Sequence, residues 1–271
     1  MAAVTVVSHQ RWRADDLRGV TDVVSDLGLD TSAAADAGAV LWCPGAWAAA
    51  AVSRYPHLRL SSAGPRWLDG LAVRVTGRRV VTSSAGRIRG TGRRRGWRTF
   101  AKLPETKHEV FEARVRTHAE LILDLDRLPD DEPVQLQRPV TFTDEVRCWV
   151  LRGEVVARAP YFADVAREDW AELADPERVA QAAAWLGTVI GRADAPAAFV
   201  VDVGWCADPD TGEPGWRIVE ANAAWSADWY AADNMTAVVE VIAASQREVE
   251  PQWRWQPSPL LRGRSRALAL R

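Results

Sequence analysis

Lysine is almost missing from this chain. Of its 34 lysine and arginine residues only Lys102 and Lys107 are lysine, which leaves 32 arginines in 271 residues. Both lysines fall in one short stretch, FAKLPETKHEVF at 100–111. Lysine supplies a compact charge with rotatable donors, which a planar guanidinium cannot imitate, so two lysines in an arginine-writing sequence mark positions that need that chemistry. Other scarcities exclude whole classes. Three cysteines, Cys43, Cys148 and Cys206, have no paired spacing; they argue against a disulfide framework or a zinc site and suit a reducing cytoplasm. Four histidines, His9, His57, His108 and His118, show no metal-ligand spacing. No apolar run reaches membrane-spanning length, and the first residues lack a basic region followed by an apolar one, so a membrane partner is not expected. A net charge of −2 exerts no global pull on nucleic acid, so any anion site must be local.

What is present is ordinary globular composition, 48% hydrophobic and 26% charged, sufficient for a sizeable core. Residues 4–7 read as a strand, 15–29 as a helix and 39–42 as a second strand closed by Cys43-Pro44-Gly45, with an alanine-rich helix after it. This is a small α/β unit without a glycine fingerprint for a dinucleotide. From about Leu68 the texture changes. Residues 73–76 and 79–82 flank Gly77-Arg78 as a hairpin would. GRIRGTGRRRGWR at 86–98 carries six arginines and four glycines; it reads as too charged for core, and as a phosphate-covering loop, a nucleic-acid contact or a solvated loop. Residues 98–103 suit a strand and 112–123 a helix; 134–140 and 145–159 suit strands. Asp175-Pro176-Glu177 starts a helix, with Asp as cap and Pro in the first turn. Two more strands and a helix over 236–247 follow, and the arginine-bearing segment from Pro251 is expected to be mobile or to fold back.

Two hairpins gather charge. EVRCWVLRGEVVARA alternates around Arg152-Gly153, where a tight turn belongs. That register puts Trp149 opposite Val156 and Arg147 opposite Arg158. Like charges directly opposed cost stability, so either an anion sits between them or both splay into water. In FVVDVGWCADPDTGEPGWRIVEAN, a turn centred on Thr211 sets Asp202 opposite Glu220, with Asn222 on the same face as Glu220. Apolar strands rarely carry buried carboxylates unless these are paired or bind metal. Two carboxylates and an amide oxygen without His or Cys indicate a hard cation such as Mg²⁺; a solvated strand edge is the alternative.

The strand lysine, the hinge strand, DEVRCWVLRGEVVARA with its acid-x-Arg, the acidic strand and RIVEANAAWSADWY with its Glu-x-Asn together resemble the ATP-grasp superfamily from about Leu68 to the last helix. The resemblance is to small carboxylate–amine ligase-like members with one arginine and two lysines in the ATP site. It implies an α+β class, the ATP-grasp fold: two α+β subdomains clasping ATP, at 68–135 and 136–249, after a small α/β pre-ATP-grasp domain at 1–67 and before an arginine-rich tail at 250–271. It implies adenine at the hinge residues Gln137, Arg138 and Val140, with Glu145 also toward the nucleotide. Lys102 would serve the α- and β-phosphates, Lys107 the phosphates or the reacting carboxylate, Arg147 the γ-phosphate, and Arg158 the acceptor carboxylate. Asp202, Glu220 and Asn222 would hold Mg²⁺. The implied reaction joins a small-molecule or peptide carboxylate to an amine through an acylphosphate, releasing ADP and phosphate. Trp225 and Trp229 would shape an acceptor pocket or simply pack. The chain departs from the family where the strand lysine is followed by LPETKHEVF, without glycine, and where no lysine precedes Lys102. A non-catalytic ATP-binding homologue and an Arg/Gly-mediated nucleic-acid binder are the competing readings. The sequence is silent on oligomeric state and leaves a homodimer open.

Overall fold

The computed structural model describes residues 3–8, 11–26, 30–92, 96–161, 173–208 and 211–263. The chain opens with a parallel sheet ordered β2–β1–β3, built from β1 (Val4–Val7), β2 (Val23–Asp26) and β3 (Val40–Trp42), together with helices α1 (Arg11–Leu17) and α2 (Gly45–Arg54). The helix expected at 15–29 is cut short. α1 ends at Leu17 and the chain returns as β2, in register with β1 from Val4↔Val23 to Val7↔Asp26. Gly19 and the β-branched Val20, Thr21, Val23 and Val24 are poor helix residues, and the backbone of β1 offers them a ladder instead.

A second, antiparallel sheet runs β4 (Val80–Ser84), β7 (Pro133–Gln137), β5 (Arg98–Lys102), β6 (Arg114–Thr117) in spatial order. Three sequence expectations change here. The hairpin at 73–82 does not form: Val73–Thr76 is a single helical turn, α3, closed by Gly77 at φ 66°, a left-handed conformation suited to glycine. The first part of the helix expected at 112–123 is β6, and α5 (His118–Leu125) starts only after Thr117, which caps it in a reciprocal box with Glu120. The Gly/Arg-rich stretch contributes α4 (Ala85–Arg89), whose Ile88 packs into the core beside Leu121 and Leu125; Arg93, Arg94 and Arg95 lie outside the described residues. Arg116 is another arginine inside, 1% exposed, with its guanidinium donating to Asp124 Oδ2 at 2.8 Å and to the carbonyls of Ala101 and Glu112 at 2.9 and 2.7 Å.

The third sheet is also antiparallel: β11 (Pro214–Asn222), β10 (Ala198–Ala207), β8 (Glu145–Leu151), β9 (Glu154–Tyr161). Arg152 and Gly153 turn β8 into β9 at φ 49° and 82°, as a two-residue hairpin of the primed type requires. Leu151 pairs with Glu154 as expected, but a bulge beyond Val150↔Val155 leaves Val156 without a cross-strand partner and slips the rest by one. Trp149 therefore faces Ala157, and Arg147 faces Ala159 rather than Arg158. The opposed arginine pair does not exist.

Both faces of this sheet are covered. Cys148, Val150, Phe199, Val201 and Val203 share a core with Leu186 and Ile190 of α6 (Pro176–Ile190). Trp149 and Val200 pack toward Val238 and Ile242 of α7 (Met235–Arg247) and toward Val4 and Trp42 of the first sheet. Arg147 and Asp202, two residues along from Trp149 and Val200, continue that second face. One sheet face thus passes from apolar to charged. Residues 251–263 fold back: the Trp255 amide donates to Leu60 O at 2.7 Å, and Trp255 and Leu261 are buried with Trp47 and Trp225. Residues 264–271 lie outside the described part. Among the described residues no helix is long and apolar enough to cross a membrane.

Gly204 in β10 marks a tight approach. A Cβ there would stand 2.5 Å from Phe142 Cδ1 and 3.0 Å from Val219 Cγ2. Gly204→Ala is expected to cost about 1–3 kcal/mol through overpacking, measured as a lower urea midpoint with an unchanged slope.

Candidate functional site

The third sheet assembles a row of charge from three strands. Asp202 on β10 is paired with Glu220 on β11 and with Arg147 on β8. The expected Asp202–Glu220 register therefore holds, through a bulge that begins only after Asp202. Arg147 grips Asp202 with both arms of its guanidinium, Nε to Oδ1 at 2.8 Å and Nη2 to Oδ2 at 2.7 Å, and gives Nη1 to Asp228 O at 3.0 Å. Both residues are buried, at 5% and 4% exposure. Asn222 Nδ2 donates to Asp202 Oδ2 and to Glu220 Oε1, each at 3.1 Å.

The fourth charge arrives from the other sheet. Lys102 ends β5; its neighbour Ala101 faces the α4–α5 core, while the Lys102 ammonium donates to Glu220 Oε2. Arg78 ties the same two sheets a little further along. It donates to Gln137 Oε1 and to the carbonyls of Ile218 and Val219, both at 2.8 Å. Burial lowers its pKa to about 10, which leaves it charged.

The electrostatics follow from burial and compensation. Burial works against ionised Glu220, but Lys102, Asn222 and Arg147 outweigh it and hold the carboxyl well below its ordinary range. Burial and the Glu220 charge push Asp202 up while Arg147 pulls it down, and the two-armed contact keeps that pair ionised. Glu145, two residues before Arg147, lacks such a partner: burial, Asp202 and Glu220 raise it to about 7, against the pull of Arg147 and Lys102.

Around this row opens a cleft of about 970 Å³, at the large end of small-molecule sites. Lys102, Lys107, Arg147, Glu220 and Asn222 line it, with Pro44-Gly45 at the start of α2 and the segment 103–109 on other sides. The glycine-free LPETKHE thus borders the cleft, whereas the described part of the Gly/Arg-rich stretch does not. Gln137, Arg138 and Val140 are not among its lining residues either, and the Gln137 side chain is engaged by Arg78. Arg158 is also outside: it pairs with Asp233 at 2.9 Å, anchored at the edge of the sheet. Trp229 is fully buried, with its indole N–H on Asp16 and its ring 4.9 Å from Trp42, so it packs; Trp225 does border the cleft, its N–H on Ser61 O at 2.9 Å.

The sequence reading missed four groups. Tyr230, a non-glycine residue at φ 49°, lays its ring 4.5 Å from the Arg147 guanidinium and stacks on Tyr161. Asp228 accepts from the Tyr230 amide at 2.8 Å and pairs with Arg13. Ser62 and Glu105 meet across the cleft wall. Their partners lie 43 to 215 positions away in sequence, so no local spacing announces them.

Do these residues fit a divalent cation? Among the described residues no group of three His, Cys, Asp or Glu side chains is placed for one. The donor set is instead two carboxylates and an amide, and one oxygen of each carboxylate converges on the Asn222 amide nitrogen. Turning the amide over would put its oxygen beside two carboxylate oxygens. That arrangement is repulsive alone and favourable around a hard cation. The set fits Mg²⁺.

A family model described as an ATP-grasp domain, family 2 of the clade named for one arginine and two lysines, matches residues 75–239. No curated protein matches. Among solved structures the chain is similar to a RimK domain ATP-grasp protein from Sphaerobacter thermophilus, with 15% identity over 91% of this chain and 100% of that one, at TM-score 0.45. It is also similar to a D-alanine–D-alanine ligase from Bacillus anthracis (10% identity, 92% and 98% covered, TM-score 0.44) and to Cdc123 from Schizosaccharomyces pombe (12%, 60% and 83%, TM-score 0.39).

The compensated row generates a stability prediction. Lys102→Met leaves Glu220 buried without its cation, so it should cost about 3–5 kcal/mol, while Lys102→Met/Glu220→Gln should cost clearly less than the two single changes summed. The sign with pH is fixed: a carboxyl depressed in the folded state contributes stability above its unfolded value and loses it as pH falls. Urea titrations from neutral pH down through the carboxylate range should therefore show a steeper decline for the parent than for Glu220→Gln.

Proposed function

Since the chain belongs to the ATP-grasp family, in family 2 of its one-arginine, two-lysine clade, we propose that it is an ATP-dependent ligase that joins a carboxylate to an amine through an acylphosphate. The fold is the ATP-grasp fold. The observation that carries the ligase reading is the convergence of Lys102 from one sheet and Arg147, Asp202, Glu220 and Asn222 from the other on one cleft. Such a site has cations and metal-type oxygens, and its chemistry is positioning and charge neutralisation during phosphoryl transfer.

Asp202, Glu220 and Asn222 would hold Mg²⁺, whose contribution when bound is to neutralise phosphate oxygens. Lys102 turns its ammonium from Glu220 to the nucleotide's phosphates, a short movement for a flexible stem with three donors. Arg147, fixed by Asp202 and by Tyr230 beneath it, keeps a full charge toward the cleft. Lys107, exposed at the rim, meets the γ-phosphate or the reacting carboxylate. A carboxylate oxygen of the substrate attacks the γ-phosphorus, the bond to the ADP oxygen breaks, and an acylphosphate results. An amine nitrogen then attacks the acyl carbon, and phosphate leaves. A small-molecule or peptide carboxylate suits the width of the cleft.

ADP release and hydroxamate formation test this reading, with ATP, Mg²⁺, hydroxylamine and the common amino acids as trial carboxylates. The parent should form hydroxamate only with ATP and Mg²⁺. Lys102→Arg, which keeps the charge but not the compact ammonium, should lose about 100-fold or more in kcat, in the range of a lost transition-state donor. A Lys102→Arg protein as fast as the parent would remove the lysine from the mechanism.

A further inference from the structure

Glu105 is a recessed carboxyl without a cation. It stands in the LPETK segment between the two lysines and borders the same cleft. Its hydrogen-bond partner is a hydroxyl: Ser62 Oγ donates to Oε1, and Ser62, 5% exposed, is itself held by the Gly64 amide at 2.9 Å. Among the described residues Glu105 makes no ion pair. The cations on the cleft wall are Lys102, Lys107, His108 and Arg147; Lys102 is engaged by Glu220 and Arg147 by Asp202. The carboxylates there are Glu109, Glu112, Glu220 and Asp228, and Glu132 lies in an adjoining hollow.

Glu132 shows what a purely structural buried carboxyl looks like in this chain. It is 1% exposed and accepts from the Leu260 amide at 2.7 Å, so it fastens the returning C-terminal segment. Glu105 fastens no backbone. A carboxyl taken out of water without a cation or an amide costs stability, and the fold gains nothing visible in return. Burial pushes Glu105 up to about 7, opposed by the Ser62 hydrogen bond; a group there exchanges its proton near neutrality, where a general base is most effective. The wall beside it is apolar: Trp255 borders both hollows and meets Trp225 edge-on at 4.8 Å.

Resting on the ligase reading of the cleft, we propose that Glu105 is the general base of the amide-forming step, taking the proton that the amine nitrogen sheds as it attacks the acylphosphate. The N–C bond forms and the C–O bond to phosphate breaks. Phosphate leaves with the electron pair, and one proton moves from nitrogen to the Glu105 carboxylate, which later returns it to solvent. Ser62 positions the carboxylate and favours its charged form.

The test compares the parent, Glu105→Gln and Ser62→Ala in amide formation from the common amino acids, over a pH series spanning neutrality, with hydroxylamine as a second nucleophile. The parent should show an acid limb near pH 7 set by Glu105. Glu105→Gln should lose that limb and slow about 100-fold or more. Hydroxylamine, whose nitrogen is already unprotonated at neutral pH, should recover product formation in that variant. Ser62→Ala, lacking the donor that stabilises the carboxylate, should move the limb to higher pH. A Glu105→Gln protein with the parent's rate and limb overturns the base role while leaving the ligase reading standing. So does a variant that loses hydroxamate and amide alike, because the defect then precedes amine attack. A parent that forms neither product overturns the ligase reading, and the role of Glu105 falls with it.

Discussion

The contact between Lys102 and Glu220 is where two independently built sheets meet over one ion pair. Each residue sits at the end of an otherwise ordinary strand, and neither would be tolerated there alone. A buried pair of this kind adds little net stability over an apolar substitute, yet removing one member strands the other. Arg147 and Asp202 repeat the same device within a single sheet. The four charges cancel, so the empty site is neutral although it is dense in charge. Adding a dication and a polyphosphate replaces one set of compensations by another: the carboxylates exchange a lysine for a metal, and the lysine exchanges a carboxylate for phosphate oxygens. The resting ion pairs hold the ligand-binding groups in place and keep them ionised until that exchange occurs.

Arginine and lysine divide the work by shape. Arg78, Arg116 and Arg147 each spread a planar guanidinium over several fixed acceptors, three or more in every case. Such a fork locks backbone segments and carboxylates together and does not move easily. Lys102 has one partner and a flexible stem, so it can change partners. The near absence of lysine elsewhere is what makes the two exceptions readable.

Much of the site was legible because its residues sit in strands, where a period of two sets facing and register. Asp202 opposite Glu220, with Asn222 on the same face, follows from turn placement alone. Arg147 opposite Arg158 did not survive, because one extra residue at Val156 shifts every pair beyond it, and a bulge of this kind leaves no mark in an apolar strand. The elements misread, residues 15–29, 73–82 and 112–123, are short apolar or mixed runs in which helix and strand periods fit equally well. Their fate was decided by distant partners, β1 for Val23–Asp26 and β5 for Arg114–Thr117. Glu105, Ser62, Asp228 and Tyr230 lie on loops, and loop side chains acquire meaning only once the chain is folded.

Calorimetric titration with a non-hydrolysable ATP analogue, with and without Mg²⁺, on the parent and on Asp202→Asn/Glu220→Gln tests the central claim most directly. The account predicts Mg²⁺-dependent binding to the parent and its loss in the double variant, with the fold retained by circular dichroism. Binding that is equal in both proteins, or indifferent to Mg²⁺, would contradict the assignment of these carboxylates to the metal–nucleotide site.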